Sequence, residues 1–353
     1  MLNWAIHNSF KLFILVIFMN YWAVGYGIFS FLVVLFSIPW LIKYLKRIRL
    51  LVKDQNKKDK PLVPISGGLA VLAGVFAGLL LFIFVRTFFT GYGGGLAASD
   101  ENLMLLFASM TSLLLITLVG FLDDLVIERK TKNHSLGLKQ WQKPLFTLIA
   151  AIPLMVVNAG FTIMYLPFGF RVELGILFPL LIIPIGVVGA SNMVNMLAGY
   201  NGMEAGMGIV YIGMLGLFAY INNRDVAALI ALVIFFSLLA FYIYNKYPAK
   251  ILPGDSLTYL LGGSIAVIAI VGNIERAAIV SSVPFFIEFI LKARGGFKMQ
   301  SYGYYYKEKI KSHYNKIYSI PHIFARTGRF TERQIVWFMI LIQLIFSSLI
   351  WIV

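Results

Sequence analysis

Two adjacent carboxylates, Asp123 and Asp124, stand where a long apolar run ends in the stretch GFLDDLVIERK, residues 120–130. The dipole of a helix disfavours negative charge at its C-terminal end, and a charge at the centre of a bilayer costs about 2.5–3.5 kcal/mol. The neighbouring Arg129 and Lys130, or a divalent cation, would offset that cost. The pair is therefore either a solvated helix end with local ion pairs or part of a cation site.

A second polar cluster, SNMVNMLAGYNGMEAG at residues 191–206, lies between two apolar runs. Asn192 and Asn195 are three residues apart, so one helical turn places them on the same face. Amide oxygens bind hard cations, amide NH₂ groups bind carbonyls and phosphates, and Glu204 adds a carboxylate. The glycines of the segment permit tight turns and close approach of a ligand. The alternative is a turn between helices that is packed by amide hydrogen bonds.

Asp255 opens an apolar run in PGDSLTYLLGG, residues 253–263. Asp is a favoured N-cap residue, so its side chain could serve only to start a helix. The functional alternative is a metal ligand, because Mg²⁺ takes one or two carboxylates together with phosphate oxygens of a substrate.

Basic residues surround two glycines in KARGGFK, residues 292–298. Arg294, Lys298 and the backbone N–H groups would form a phosphate site, whereas ordinary positive charge at a membrane surface is the alternative. Lys292 is expected to pair with Glu288, one helical turn earlier.

The basic loop that follows contains SYGYYYKEKIKSHYNK, residues 301–316. Tyrosine at headgroup depth with lysine toward anionic lipid is typical of a segment at the membrane interface. Further along, His322 follows a proline in a turn and is a candidate donor to a phosphate.

The elements that must position these residues are apolar helices. Of the 353 residues, 60% are hydrophobic and 13% are charged, and apolar runs of about 20 residues cross a hydrocarbon layer as helices. The fold class is therefore an all-α polytopic integral membrane protein, with a single domain over residues 1–353. Residues 1–20 are interpreted as a lead-in to the first span, with a separate interfacial helix as the alternative, and not as a cleaved signal peptide. The hydropathy pattern predicts ten spans, at 22–46, 66–87, 102–122, 143–158, 172–190, 205–221, 224–245, 257–272, 276–292 and 334–353.

The positive charge is placed asymmetrically. Of the 30 Lys and Arg residues, 25 fall in the alternate loops 43–60, 129–143, 246–250 and 292–333. The positive-inside rule makes that side cytoplasmic and places both termini outside. The polar clusters lie on the same side, so the active site is expected at the cytoplasmic face. Nucleic acid is not an expected partner, because topology and anionic lipid explain the basic charge.

Together, these residues suggest phosphoryl chemistry that joins a soluble nucleotide to a lipid. Acids would hold a divalent metal, amides and glycines a nucleotide, and basic side chains a diphosphate. A transporter is the main alternative class, but transporters place their polar residues near the bilayer midplane, often within inverted repeats. This chain has its polar residues toward one surface and no visible repeat.

The ordered motifs resemble those of the polyprenyl-phosphate N-acetylhexosamine-1-phosphate transferases along nearly the whole chain. GFLDDL resembles the Asp-Asp motif of that family, and QKPL resembles the segment with the lysine that follows this motif. NMVNMLAGYNGMEAG resembles the Asn-Gly motif of the dolichol-type enzymes. GDS resembles the Gly-Asp-Ser/Thr motif of the family. The resemblance implies catalytic roles for Asp123, Asp124 and Lys143 and metal-binding roles for Asn195 and Asp255. It implies a substrate site that includes Asn192, Asn201, Glu204, Arg294, Lys298, Lys57, Lys60, Ser66, Gly67 and His322.

Two departures qualify the resemblance. The bacterial members carry DGLDGL where this chain has AGYNGM at residues 198–203, which favours the archaeal and eukaryotic branch. They also carry three histidines in the last cytoplasmic loop, where PHIFARTGRFTE retains only His322.

The resemblance implies transfer of N-acetylglucosamine 1-phosphate (GlcNAc-1-phosphate) from UDP-GlcNAc to a polyprenyl phosphate, with dolichyl phosphate as the favoured acceptor and with release of UMP. That reaction is the first step of a lipid-linked glycan pathway. Mg²⁺ or Mn²⁺ is the expected cofactor, and a homodimer in the cell membrane is the expected assembly. Another UDP-N-acetylhexosamine as donor, or undecaprenyl phosphate as acceptor, stays open within the family.

Overall fold

The computed structural model describes residues 21–89, 100–126, 138–158 and 162–352. The predicted lead-in at 1–20 and the predicted partners Arg129 and Lys130 lie outside these ranges. Within them, eight helical segments are long and apolar enough to cross a membrane. They are Tyr21–Arg47 (α1), Gly68–Phe88 (α2), Asp100–Val126 (α3), Ile183–Met196 (α6, extended by a π-helical turn at Phe178–Ile182), Met203–Ile221 (α7), Asp225–Asn245 (α8), Gly254–Gly272 (α9) and Glu332–Ser348 (α13, continued by a 3₁₀ turn at Leu349–Trp351).

The fourth and ninth predicted spans are helical but interrupted. The fourth consists of Gln142–Leu148 (α4), a 3₁₀ turn and Ile152–Val157 (α5), and the ninth consists of Glu275–Ser281 (α10) and Val283–Arg294 (α11). A proline lies in the first turn of both α5 and α11, where its missing N–H and fixed φ favour a new helix start. The all-α membrane fold is confirmed, whereas the count of ten spans stays a prediction.

Helix α9 forms the centre of the bundle. It is the most deeply buried of the eight long helices and packs against α2, α3, α6, α7 and α8. Gly262 allows its backbone to approach that of α6, because a Cβ there would overlap the main chain at Ala190 and Ser191. Small residues at such crossings are how helices pack closely in a membrane.

Three antiparallel hairpins interrupt the described helices. They pair Leu51–Lys53 with Leu62–Pro64 (β1–β2), Ile163–Tyr165 with Arg171–Glu173 (β3–β4), and Tyr304–Tyr306 with Lys309–Lys311 (β5–β6). The last hairpin lies within the Tyr- and Lys-rich segment predicted to be interfacial, and the short helix His322–Ala325 (α12) follows it.

The polar clusters of the sequence meet at one end of the bundle. Helices α3, α6 and α8 end there, and α2, α7, α9 and α13 begin there. Hydrogen bonds between different segments hold this end together, for example from the Ser66 hydroxyl to the Asp124 carboxylate and from the Asn56 side chain to the Gly199 carbonyl. The loops carrying the predicted site residues are therefore neighbours in space.

Candidate active site

The centre of the site is a lysine held between two carboxylates. Lys143 Nζ lies 2.6 Å from Asp123 Oδ2 and 3.1 Å from Asp255 Oδ2. Asp123 comes from the last turn of α3, Lys143 from the first turn of α4 and Asp255 from the first turn of α9. The Lys143 and Asp255 side chains remain 23% and 29% exposed, whereas Asp123 is 1% exposed. A ligand can therefore reach the lysine and Asp255 from solvent.

Asp123 is oriented by the chain that follows it. The backbone N–H of Leu138 donates to its Oδ1 at 2.6 Å, which leaves Oδ2 directed toward Lys143. Oδ2 accepts no hydrogen bond from the described residues beyond that ion pair.

Asn195 borders the same centre from the last turn of α6. Its Nδ2 donates to Asp255 Oδ2 at 3.3 Å, and its Oδ1 accepts from Thr258 Oγ1 at 2.9 Å. Asn192, one turn earlier, donates instead to Thr147 Oγ1 at 3.2 Å and to the Val188 carbonyl. Asn195 therefore lies at the site, whereas Asn192 fixes α6 against α4.

Asp124 faces away from the lysine. Its Oδ1 accepts from the Asp255 backbone N–H at 2.8 Å, and its Oδ2 accepts from Ser66 Oγ at 2.7 Å and from the Ser256 N–H at 3.2 Å. The predicted N-cap role of the Asp255 side chain is not observed, because Pro253 is the N-cap residue and makes no side-chain cap bond. Asp124 supplies the missing acceptor from a neighbouring helix.

Glycine makes this convergence of segments feasible. Gly254 has a φ of +70°, and a Cβ there would overlap Asp124 Oδ2 and approach the Ser66 nitrogen within 2.7 Å. A residue with a side chain would be strained by the left-handed backbone and would also displace the carboxylate.

A second buried polar network lies at the same end of the bundle. Glu332 Oε1 accepts from the Asn201 backbone N–H at 2.9 Å, and its Oε2 pairs with Lys57. Lys57 also pairs with Asp54 at 3.3 Å, and Asp54 accepts from Asn201 Nδ2 at 2.9 Å. Lys57 and Asn201, both predicted to border the substrates, have their polar groups engaged by these two acids in this arrangement.

Glu204 and Asn56 hold the Asn-Gly loop. Glu204 Oε1 accepts from the Gly199 N–H at 2.7 Å, while Asn56 Nδ2 donates to the Gly199 carbonyl at 2.7 Å. Oε2 of Glu204 is buried and accepts no hydrogen bond from the described residues. Glu204 therefore orders the loop through Oε1, and its buried Oε2 does not face solvent in this arrangement.

The predicted phosphate loop lies next to the lysine centre. Gln140, shortly before Lys143, donates through Nε2 to the Phe297 carbonyl at 2.6 Å. Arg294 donates to the Ile317 carbonyl and lies over the Tyr318 ring at 5.5 Å. Arg294 and Lys298 are exposed, so both remain candidates for contact with an anionic ligand.

The predicted Glu288–Lys292 pair is confirmed at 3.6 Å, but His322 is used differently from the prediction. His322 is fully buried, its Nδ1 accepts from the Tyr318 N–H at 3.2 Å, and its Nε2 lies 2.9 Å from the Gln300 carbonyl. Burial, reinforced by the positive charge of Lys292, lowers the pKa of His322 to about 4. Both ring nitrogens therefore serve the loop, and neither is free to donate to a phosphate.

The remaining predicted residues differ in their surroundings. Ser66 is fully buried on Asp124, and Gly67 donates through its N–H to the Leu252 carbonyl at 3.0 Å. Lys60 is exposed. The structure thus places Ser66 and Gly67 in the framework of the site and Lys60 at the surface.

The donor set fits a divalent cation only together with a substrate. Asp123 and Asp255 both reach one ammonium nitrogen, so their oxygens can serve one cation. The described ranges contain no group of three His, Cys, Asp or Glu side chains arranged to hold a metal ion. Mg²⁺ is commonly bound by one or two carboxylates plus phosphate oxygens, and Asn195 would offer its oxygen if its amide were turned over.

Sequence reasoning missed several contacts that shape the site. Thr258 is one helical turn from Asp255, a spacing that could have identified it. The N–H groups of Leu138 and Ser256 carry no side-chain signal, because every residue except proline offers the same donor. Asp54 lies three residues before the predicted Lys57, but its pairing with Asn201 joins distant segments.

Comparison with known proteins gives relatives along most of the chain. A Saccharolobus solfataricus protein with the provisional name UDP-N-acetylglucosamine–dolichyl-phosphate N-acetylglucosaminephosphotransferase is 37% identical, and the match covers 87% of this chain and 89% of that protein. A protein of the same name from Sulfolobus acidocaldarius is 33% identical, covering 91% and 93%. The phospho-N-acetylmuramoyl-pentapeptide-transferase of Staphylococcus epidermidis is 29% identical, covering 74% and 80%.

These matches confirm the resemblance drawn from the motifs. The family described as glycosyl transferase family 4 matches residues 104–273, a region that holds Asp123, Lys143, Asn195 and Asp255. The two archaeal relatives extend the similarity to nearly the full length of the chain. The chain belongs to glycosyl transferase family 4.

Proposed function

We propose that this membrane protein transfers GlcNAc-1-phosphate from UDP-GlcNAc to a polyprenyl phosphate of the dolichyl type, with Mg²⁺ or Mn²⁺ as cofactor. One observation carries the proposal: the four residues expected from the motifs to form the reaction centre are joined in series, because Lys143 contacts both Asp123 and Asp255, and Asn195 donates to Asp255. The names of the two archaeal relatives support the choice of donor and acceptor.

The reaction is a displacement at phosphorus. An oxygen of the lipid phosphate attacks the β-phosphorus of the donor, the bond from that phosphorus to the bridging oxygen breaks, and UMP leaves with the electron pair. A phosphate monoester carries a charge of about −1.5 to −2 near pH 7, so a strong base is not required. A bound divalent cation would neutralise charge on the diphosphate.

The residues of the chain position the reacting groups. Asp123 and Asp255 hold the Lys143 ammonium in place, and the ammonium attracts a phosphate oxygen of the substrate. Asn195, itself held by the Thr258 hydroxyl, donates to the Asp255 carboxylate and orients it. The exposed Arg294 and Lys298 would add positive charge toward the diphosphate. Such preorganised charge is the main contribution that a protein makes to phosphoryl transfer.

The test uses purified protein in detergent with UDP-GlcNAc, a polyprenyl phosphate and Mg²⁺. We expect release of UMP together with a lipid-linked diphosphosugar, and we expect Asp255→Ala to lower the rate at least about 100-fold. UMP release by Asp255→Ala at the wild-type rate would contradict the assigned centre. Asp100→Asn, at the opposite end of α3, is the control.

Substrate choice is tested in the same assay. Replacing the donor with other UDP-N-acetylhexosamines, and dolichyl with undecaprenyl phosphate, ranks the members of the substrate class by kcat/KM. Uptake of UDP-GlcNAc into vesicles without UMP formation would instead favour a transporter.

A further inference from the structure

Both carboxylate oxygens of Asp124 are directed at the protein framework. Its side chain is 0% exposed. One oxygen accepts from the Asp255 N–H at 2.8 Å, and the other accepts from Ser66 Oγ at 2.7 Å and the Ser256 N–H at 3.2 Å. Its neighbour Asp123, in contrast, directs an oxygen at the Lys143 ammonium.

The donors to Asp124 come from two other segments of the chain. Ser66 precedes α2, while Asp255 and Ser256 form the first turn of α9. A carboxylate at a helix N-terminus satisfies unpaired N–H groups and interacts favourably with the helix dipole. Because hydrogen bonds to a charged acceptor are short and strong, Asp124 fixes the start of α9 against α3.

Fixing the start of α9 also fixes the Asp255 side chain, because the N–H that donates to Asp124 belongs to Asp255 itself. From that position the Asp255 carboxylate reaches Lys143 at 3.1 Å and Asn195 at 3.3 Å. A displacement of the first turn of α9 would separate these groups.

We propose that Asp124 is a positioning residue, which sets the place of Asp255 through the first turn of α9 and contacts neither substrate nor cation. The activity measurements below rest on the proposed function, whereas the measurement of Mn²⁺ binding does not need turnover. A direct role would require the fully buried Asp124 carboxylate to turn toward a ligand. That turn would break its bonds to the Asp255 and Ser256 N–H groups, and a buried donor without an acceptor pays its full desolvation cost.

The first experiment compares isosteric variants. The Asp124→Asn side chain can still accept from the Asp255 N–H, and its NH₂ group can donate to Ser66 Oγ, since a hydroxyl is both donor and acceptor. The Ser256 N–H alone loses its acceptor in this variant. We expect kcat to fall about tenfold or less, with little change in KM for UDP-GlcNAc. Asp123→Asn, which removes the charge facing Lys143, is expected to lower kcat by about 100-fold or more. Asp225→Asn, an exposed acid at the other end of the bundle, is the matched control.

The second experiment does not depend on turnover. Binding of Mn²⁺ in the presence of UDP-GlcNAc is measured by electron paramagnetic resonance for the wild type, Asp124→Asn and Asp124→Ala. We expect about tenfold weaker Mn²⁺ binding for Asp124→Ala, because Asp255 is displaced, and near wild-type binding for Asp124→Asn. If Asp124→Ala does not fold, Ser66→Ala removes one of the same bonds and is expected to weaken Mn²⁺ binding in the same direction.

Two outcomes would overturn the inference. If Asp124→Asn is as inactive as Asp123→Asn and its melting temperature is unchanged, Asp124 belongs among the groups that touch the reacting atoms. Wild-type Mn²⁺ affinity in folded Asp124→Ala, or in Ser66→Ala if the former does not fold, would show that Asp124 does not position Asp255. Absence of UMP release from the wild type would contradict the proposed function instead, while the Mn²⁺ comparison would still decide the role of Asp124.

Discussion

At the residue scale, the two adjacent aspartates have opposite surroundings. Consecutive side chains on a helix point about 100° apart around its axis, so Asp123 faces the Lys143 ammonium while Asp124 faces the backbone of α9. The two acids therefore have the same chemistry and different tasks. Asp123 is the member of the pair that contacts Lys143, whose side chain a ligand can reach.

Lys143 is predicted to be the cation on which the centre depends. Lys143→Gln leaves Asp123 and Asp255 facing each other without their shared counter-charge. We expect a fall in the rate of UMP release of at least about 100-fold. Lys143→Arg is the control for charge, and it should recover only part of the rate because a planar guanidinium cannot replace a compact ammonium. Full activity of Lys143→Gln would contradict the role.

Because of the buried His322, we expect the folded protein to lose stability at acidic pH. Burial favours the neutral ring and lowers its pKa from the ordinary value of 6.5 to about 4 in the folded protein. The stabilisation from this group is therefore present above pH 6.5 and is lost as the pH falls toward 4. We expect the melting temperature in detergent to fall more between pH 7 and 4.5 for the wild type than for His322→Gln. Identical pH profiles would contradict this account.

At the scale of elements, Lys57 joins the β1–β2 hairpin region to the start of α13. Asp54 and Glu332 both bind its ammonium, and the same acids hold Asn201 in the Asn-Gly loop. The network therefore connects three segments that surround the candidate site. Its role is to fix their relative positions.

Removing Lys57 alone should therefore destabilise the protein more than removing Lys57 and the charge of Glu332 together. Lys57→Met leaves two buried acids without a counter-ion, which typically costs about 3–5 kcal/mol. The double variant Lys57→Met/Glu332→Gln should recover part of the melting temperature, as measured in detergent. A rise in KM for UDP-GlcNAc with an unchanged melting temperature would instead indicate that Lys57 contacts the substrate.

Gly254 provides a second test at the scale of elements. Gly254→Ala adds a Cβ where Asp124 Oδ2 lies, in addition to the strain of a positive φ. Gly175, with a φ of +54° and no atom within 4 Å of the place that a Cβ would occupy, is the matched control for strain alone. We expect the melting temperature and the rate of UMP release of Gly254→Ala to lie well below those of Gly175→Ala. Equal effects would show that the close approach does not matter.

At the scale of the whole molecule, the site lies at one end of the helix bundle, and charge predicts that this end is cytoplasmic. The sequence contains no cysteine, so single cysteines can report topology without background. Lys58→Cys at the site end and Glu173→Cys in the β3–β4 hairpin both introduce exposed thiols. On intact cells, an impermeant maleimide should label only Glu173→Cys. Labelling of Lys58→Cys alone would reverse the orientation.

The sequence alone determined the class of protein, the candidate centre and the family. Long apolar runs identify membrane helices because helix length must match bilayer thickness. The motifs around Asp123, Lys143, Asn195 and Asp255 are local in sequence, and the structure brings these four residues together. These properties can be read without a fold because each depends on residue type and short-range spacing.

Only the tertiary structure decided how the polar groups are used. It directed Asp124 at the backbone of α9, engaged Lys57 and Asn201 in an ion network, and bound both ring nitrogens of His322. It also divided the fourth and ninth predicted spans into shorter helices. Such outcomes depend on the rotation and contact of helices distant in sequence, and on backbone N–H groups that every residue but proline shares.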